Sequence, residues 1–431
     1  MAGLLGTLHS ASTGMSVNQV AIQTTNQNIA NMNNPGYTRQ RVEQVANRPY
    51  SNPGLTSSKL GAGQIGQGVK VSQITRIRNS FYDYQFRAEN HKYGSLSVKN
   101  NYYSSMEGIF NEPSDFSISA SINDLFGTCN ELGKDPNSIS AKNMFVEKSN
   151  YLSTTLNIAY KKMNTFSESV DKQINSIVDD VNETLKRLEE VERQITIIQA
   201  TGKNPNDLMD TRDQLIDSLS SKIDITNPDV KKALADGVLE LQEIANIDVS
   251  GELQGALEVS EKIQEYKQSL ETLMTTIAEE FNDVYSNYPG AEDPKELFVI
   301  TKDANGNVSI NVNEDIKNNP SILVMNPDKA NALFQIRDKK ITIDGMDLTI
   351  NNYYNSIVED LGYSVQNTQK QLSNQSALML NIDNARASES AVSMDEEMIN
   401  LIQYQHAYSA SAKVVSTIDS LLDVVINGLI R

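Results

Sequence analysis

The chain of 431 residues carries 37 Lys+Arg against 55 Asp+Glu, a formal charge of −18 and a pI near 4.7. That acid excess excludes a nucleic-acid binder, which needs a cationic footprint over the phosphates. Hydrophobic residues at 39%, aromatics at 6%, no Trp and a mean hydropathy of −0.41 favour long helical modules over one thick core, with length for about three domains.

The first predicted element is an N-terminal helix whose positions Leu4, Leu8, Ala11, Met15, Asn18, Ile22, Thr25 and Ile29 alternate spacings of four and three. That is the a/d seam of a coiled coil, and Asn18 and Thr25 make it dependent on a specified partner. Asn33-Asn34-Pro35-Gly36 stops the helix, since Pro biases the preceding residue away from αR and Gly favours a turn. Gly61-Ala62-Gly63-Gln64-Ile65-Gly66 is a literal G-x-G-x-x-G, but it follows a Ser- and Pro-rich stretch and precedes the alternating run Val69–Ile77. The dinucleotide fingerprint needs a strand before it and a helix after it, so a connector is the better reading and a nucleotide-binding enzyme the outlying alternative.

One very long helix, or two in series, is predicted over 139–200, with Met163, Val170, Ile174, Ile177, Val181 and Leu188 in its stripe. Helices over 207–222, 254–288 and 351–381 follow, and 223–252 reads as a reduced insertion or small subdomain. Two hairpins are expected around Asp303-Ala304-Asn305-Gly306-Asn307 and around Gly345. The Asp303 loop lacks the Gly of a calcium-binding EF-hand at position six, where Val308 stands, and reads as a turn.

Ser393-Met394-Asp395-Glu396 fits an S-x-x-E capping box and opens the last helix. Its apolar line runs Met394, Met398, Leu401, Gln405, Tyr408, Ala412, Val415, then Ile418, Leu422, Val425 and Leu429 after one 3–3 step, a stammer. The fold class is therefore mainly α: an elongated helical bundle with small β-hairpins, plus a coiled coil formed by the two termini. The divisions are 1–35 with 394–431, then 36–222 with 253–393, then 223–252. A seam this polar predicts terminal helices that are mobile in the monomer and order on assembly.

No catalytic motif emerges. The lone Cys129 excludes a disulfide framework, and His9, His91 and His406 lie on separate segments. The acid pairs Asp179-Asp180, Glu189-Glu190, Glu279-Glu280 and Glu396-Glu397 are expected on solvated helix faces. The expectation is a protein without enzyme activity, cofactor or metal. The first residues lack the basic and apolar regions of a leader, and no stretch reaches the roughly 20 apolar residues of a membrane span.

Asn28-Ile29-Ala30-Asn31 followed by Asn34-Pro35-Gly36-Tyr37-Thr38-Arg39-Gln40 resembles the N-terminal motif of bacterial flagellar axial proteins. The version here is most similar to the hook-associated protein 1 family, the hook–filament junction proteins. Asp207-Leu208-Met209-Asp210-Thr211-Arg212-Asp213-Gln214-Leu215 resembles that family's D-x-R-D-x-L helix, and Glu279-Glu280-Phe281-Asn282 a motif of its next long helix. The 395–408 segment, Asp395-Glu396-Glu397 through Asn400-Leu401, Tyr404-Gln405 and Tyr408, is similar to its C-terminal signature.

The resemblance implies a structural subunit that assembles into a tubular ring, with terminal helices paired along the axis. It implies hook protein below, a second hook-associated junction protein above, and export through the flagellar type III apparatus. Before export, a cytoplasmic chaperone would cover Leu401, Tyr408, Val415, Leu422 and Val425. Asn28, Asn31, Pro35, Gly36, Tyr37 and Arg39 would shape the turn into the outer domain. Hook protein or a flagellin-like subunit is the alternative within the same class.

Overall fold

The computed structural model describes residues 2–48, 66–110, 114, 117–234, 237–240, 242, 247–286, 296–304, 306–343 and 345–427. Most of the Gly61–Gly66 stretch, Asn305, Asp344 and Leu429 fall outside these residues.

Helix α1 spans Ala2–Ala30 and strand β1, Gln40–Ala46, pairs antiparallel with β2, Val69–Arg76. The expected strand over 69–77 is β2. Helices α2 (Ser80–Phe110), α3 (Ile118–Lys134), α4 (Ile139–Gln199), α5 (Asn206–Lys222) and the short α6 (Pro228–Ala233) follow. Next come α7 (Gly251–Ser286), the hairpin β3–β4 (Phe298–Lys302 and Val308–Val312), α8 (Glu314–Asn318) and α9 (Pro327–Gln335). The hairpin β5–β6 (Ile341–Ile343 and Met346–Leu348), α10 (Ile350–Ser390) and α11 (Met394–Asn427) complete the chain. Each sheet has two strands, and the architecture is mainly α.

Local signals set the helix starts. The hydroxyls of Ser117, Ser138 and Thr349 accept the backbone N–H of Ala120, Ala141 and Asn352, capping α3, α4 and α10. Asn227 and Asn326 cap α6 and α9 ahead of Pro228 and Pro327 at the first helical position. The expected capping acid of α11, Glu396, instead accepts a hydrogen bond from Arg39 Nη1 at 2.7 Å.

One core runs the length of the helical domain. The 61-residue α4 buries Phe145, Leu152, Leu156, Met163, Val170, Ile174, Ile177 and Val181 along one stripe. Against it α7 sets Val259, Ile263, Leu270, Met274, Ile277 and Phe281, and α2 and α10 add Met106, Phe110, Tyr354 and Leu361. Both hairpins close turns through glycine at positive φ, Gly306 at 82° and Gly345 at 80°. The 223–252 stretch is no separate body where it is described: Ile223, Val230, Leu239 and Val249 are buried in the same core.

Helices α2 and α3 lie outside the sequence expectations, and α10 runs nine residues past its expected end at 381. The first half of α2 buries Asp83, Asn90, His91 and Gly94, a polar line that apolar periodicity does not reveal.

Helix α2 also crosses its neighbours at backbone contact. A Cβ on Gly94 would stand 2.2 Å from the Ser221 carbonyl oxygen, and one on Gly255 would stand 2.7 Å from that of Ser95. We expect Gly94→Ala to destabilise the chain by about 1–3 kcal/mol in urea titration, because a backbone must shift. Gly108→Ala on the same helix, where a Cβ meets nothing within 4 Å, should be neutral or stabilising by up to about 1 kcal/mol.

Candidate functional site

The place where both ends of the chain meet the helical domain is built on Asn28, in the last turn of α1. Its Nδ2 donates to the Gln40 carbonyl at 2.9 Å and to Glu397 Oε2 at 3.1 Å. Its Oδ1 accepts from Tyr37 Oη at 2.9 Å and from the Gln40 N–H at 3.0 Å. A side chain 1% exposed thus fills its amide's capacity for two donated and two accepted bonds. It joins α1, the turn after it, the first residue of β1 and α11.

Arg39 completes this knot. Its Nε donates to Glu397 Oε1 at 2.7 Å, its Nη1 reaches Glu396, and its backbone N–H donates to the Ser390 carbonyl at 3.0 Å. Glu397 is 2% exposed, which corrects the expectation of a solvated face for that residue, while Glu396 is exposed as expected. A buried carboxylate is tolerable here because a guanidinium and an amide satisfy it. The Tyr37 hydroxyl is pushed up by burial and by the Asp207, Asp210 and Glu397 charges, so it stays protonated and donating.

The turn itself is held by α5. Gly36 sits at φ 79°, against the Gln214 side chain, whose Nε2 donates to the Pro35 carbonyl at 2.7 Å. Asp210 Oδ2 accepts the Thr38 N–H at 3.0 Å. Asn31 is not part of the knot: its Nδ2 bonds back to Gln27 O within α1.

A second cluster lies directly behind. Asp213 accepts from Arg76 at 2.8 Å and stands 3.1 Å from nitrogens of both Arg78 and Arg212. Arg76 also reaches Asp210 at 2.7 Å, Arg87 reaches Asp217 at 2.7 Å, and Arg386 bridges Asp217 and Asp83 from α10. Burial raises the Asp213 carboxyl, but the Arg78, Arg76 and Arg212 charges outweigh it and hold it below the usual carboxylate range. Sequence reasoning singled out the Asp207–Leu215 motif, Arg212 included, only as a resemblance and missed Arg76, Arg78, Arg87 and Arg386. The readable signal was Asp207, Asp210, Asp213 and Asp217, spaced three, three and four along one face of α5.

The terminal helices pack on each other, and α1 also packs on β1 and β2. The expected α1 seam, Leu4, Leu8, Ala11, Met15, Ile22 and Ile29, is half-buried. The fully buried residues of α1 are Val17, Ala21, Thr24, Thr25 and Asn28: Thr25 lies on the expected seam, and the other four stand one residue before its positions, facing the space between α11 and the hairpin. Gly14 faces the Ser411 hydroxyl on one side, and Gly68 of the hairpin faces Thr13 and Ser10 on the other.

On α11 the covered line is Glu397, Leu401, Tyr404, Tyr408, Ser411, Val415, Ile418 and Leu422, an unbroken four–three alternation. This corrects the expected seam at Met398, Gln405 and Val425, which are exposed, and removes the stammer. Ala412 is half-buried at the edge. The hydrophobic choice of Met398 over Glu397 fails because Asn28 and Arg39 bind the carboxylate.

Among the described residues no group of three or more His, Cys, Asp or Glu is placed to hold a metal, and no helix is long and apolar enough to cross a membrane. Burial raises the Cys129 thiol far above its usual range, so it stays protonated. What the arrangement does is mechanical: it ties the two terminal helices to each other and to the helical domain.

Residues 103–241 match the family profile "Flagellar hook-associated protein FlgK helical domain", and 385–428 match "Flagellar basal body rod FlgEFG protein C-terminal". Flagellar hook-associated protein 1 of Bacillus subtilis (strain 168) is 30% identical over 497 aligned positions, covering 98% of either chain. The protein of that name from Escherichia coli (strain K12) is 22% identical over 97% of this chain and 99% of its own. The flagellar hook junction protein FlgK from Burkholderia pseudomallei shares the fold at a TM-score of 0.55 and 12% identity, over 72% of this chain and 100% of that one.

Proposed function

Because the chain belongs to the flagellar hook-associated protein 1 family, we propose that it is the structural subunit joining hook to filament, with α1 and α11 as its axial helices. The observation that carries this reading is the Asn28–Tyr37–Arg39–Glu397 knot, which ties both chain ends to one exit point on the helical domain. A junction between a bent tube and a stiff one needs that kind of fixed joint. Copies of the chain form a ring, with hook protein on one side and the second hook-associated junction protein on the other. The role is structural rather than catalytic, and the site of action is the flagellum. A deletion strain should release unpolymerised filament subunit, and the wild-type chain should restore filaments. Normal filaments in the deletion strain would overturn the reading.

Export without a cleaved leader and capture by a chaperone belong to the same proposal. Leu401, Tyr408, Val415 and Leu422 lie on the line that α1 covers, so chaperone binding there competes with α1. The termini would then be loose before assembly and ordered by neighbouring subunits. Charge substitution at Leu422 and exposed Val425 should weaken chaperone affinity at least tenfold. Unchanged affinity would refute that assignment. Strong amide protection of 2–30 and 394–427 in dilute monomer would refute the mobility of the termini.

A further inference from the structure

A cavity of about 250 Å³ lies between α1, β1 and α11, beside the Asn28 knot. Thr25 of α1 lines it and is 3% exposed, yet its hydroxyl has no hydrogen-bond partner among the described residues. The hydroxyl of Thr24 next to it, by contrast, donates to the Val20 carbonyl at 3.1 Å. The amide of Asn400 and the hydroxyl of Tyr404, both half-buried on α11 and in the cavity wall, are equally without partners among the described residues. Exposed Arg41 of β1 completes the wall and has no ion-pair partner among the described residues. Arg39 and Glu397 also line the cavity, but they bind each other at 2.7 Å, and exposed Glu396 takes a further nitrogen of Arg39. The unmatched charge on this wall is therefore that of Arg41.

We propose that this cavity is a carboxylate-binding site, with Arg41 as the charge partner and Thr25, Asn400 and Tyr404 as further donors. The proposal rests on the assembly reading above, because the cavity exists only while α1 and α11 are paired. A buried hydroxyl is rarely left without a partner, so something polar fills the space beside Thr25. Water would satisfy the hydroxyls and the amide but would leave the guanidinium unbalanced. An ionised carboxylate does both: it accepts a paired hydrogen bond from the Arg41 fork and has lone pairs left for the hydroxyl and amide donors. Seated there, it bridges α1, β1 and α11 at once and so holds the terminal pair against the hairpin. Two sources carry this chemistry, an Asp or Glu side chain of a second copy and a small free carboxylate.

The test is a density map of the full-length chain in isolated flagella, where α1 and α11 are paired. The expected result is a two-oxygen group against the Arg41 guanidinium, within hydrogen-bond reach of the Thr25 hydroxyl. Density continuous with a neighbouring copy identifies the side-chain source, and density continuous with no chain identifies a free carboxylate. Water peaks alone, or an empty cavity, would overturn the site. As a second readout, Arg41→Gln should speed amide exchange over 394–427 in flagella by about fivefold or more, whereas Arg41→Lys keeps the charge and should restore slow exchange. Exchange as slow in Arg41→Gln as in the wild type, or no restoration in Arg41→Lys, would also overturn it. Absence of the wild-type chain from flagella would instead overturn the junction reading, and this site with it.

Discussion

Replacing Arg39 by Ala should release α11 from the rest of the chain. The Glu397 carboxylate is 3% exposed in its side chain and would keep only the Asn28 amide as a partner. Removing one member of a buried ion pair costs about 3–5 kcal/mol, since the remaining charge is neither solvated nor matched. In the assembled chain, where the termini are ordered, native-state amide exchange read separately for 394–427 and for the α4 core should show that loss in α11, with α4 unchanged. Two controls make the attribution specific. Adding Glu397→Gln to Arg39→Ala should recover much of the loss, because the uncompensated charge is gone. Glu396→Ala should cost at most about 1 kcal/mol, because Glu396 is 61% exposed and its pairing is screened. An Arg39→Ala chain with undisturbed protection in α11 would show that the helix is held by its seam alone.

Asp213→Ala should produce the second large effect, in the helical domain. Arg76, Arg78, Arg212 and Arg87 all approach this carboxylate. Without it, they face one another with only Asp83, Asp210 and Asp217 to separate their charges. The expected cost is about 3–5 kcal/mol in urea unfolding, by the same uncompensated-charge argument. The pH dependence has a definite sign. Since the folded carboxyl lies below its unfolded value of about 3.9, the stabilisation is present above that pH and is lost as pH falls through the lower folded value. Wild-type stability should therefore drop steeply below about pH 4, and Asp213→Asn should flatten that part of the profile. An equally steep acid limb in Asp213→Asn would place the linkage on other carboxylates.

Much of the frame was legible because it depends on local pattern. The 61-residue α4, the hairpin turns at Gly306 and Gly345, and the four–three stripes of both terminal helices are short-range properties of the chain. The sequence expectations missed α3 although it carries a local signal, the Ser117 cap and the buried face of Ile118, Ile122, Leu125, Cys129 and Leu132. The first half of α2 was not legible, because Asp83, Asn90 and His91 are buried through partners far along the chain. The N-terminal motif was visible as a resemblance, whereas its physical content, an amide with every hydrogen bond satisfied, required the fold.

What the sequence determined by itself is therefore the greater part of the helical frame and the presence of an apolar stripe on each terminal helix. Each follows from residue periodicity and composition. The tertiary structure alone decided which side of each seam is covered and which charges are buried. Asn28 meets Glu397 across 369 residues of chain, and Arg39 arrives from a third element. A carboxylate is solvated or buried according to the donors placed around it, and no local spacing encodes donors that arrive from so far away.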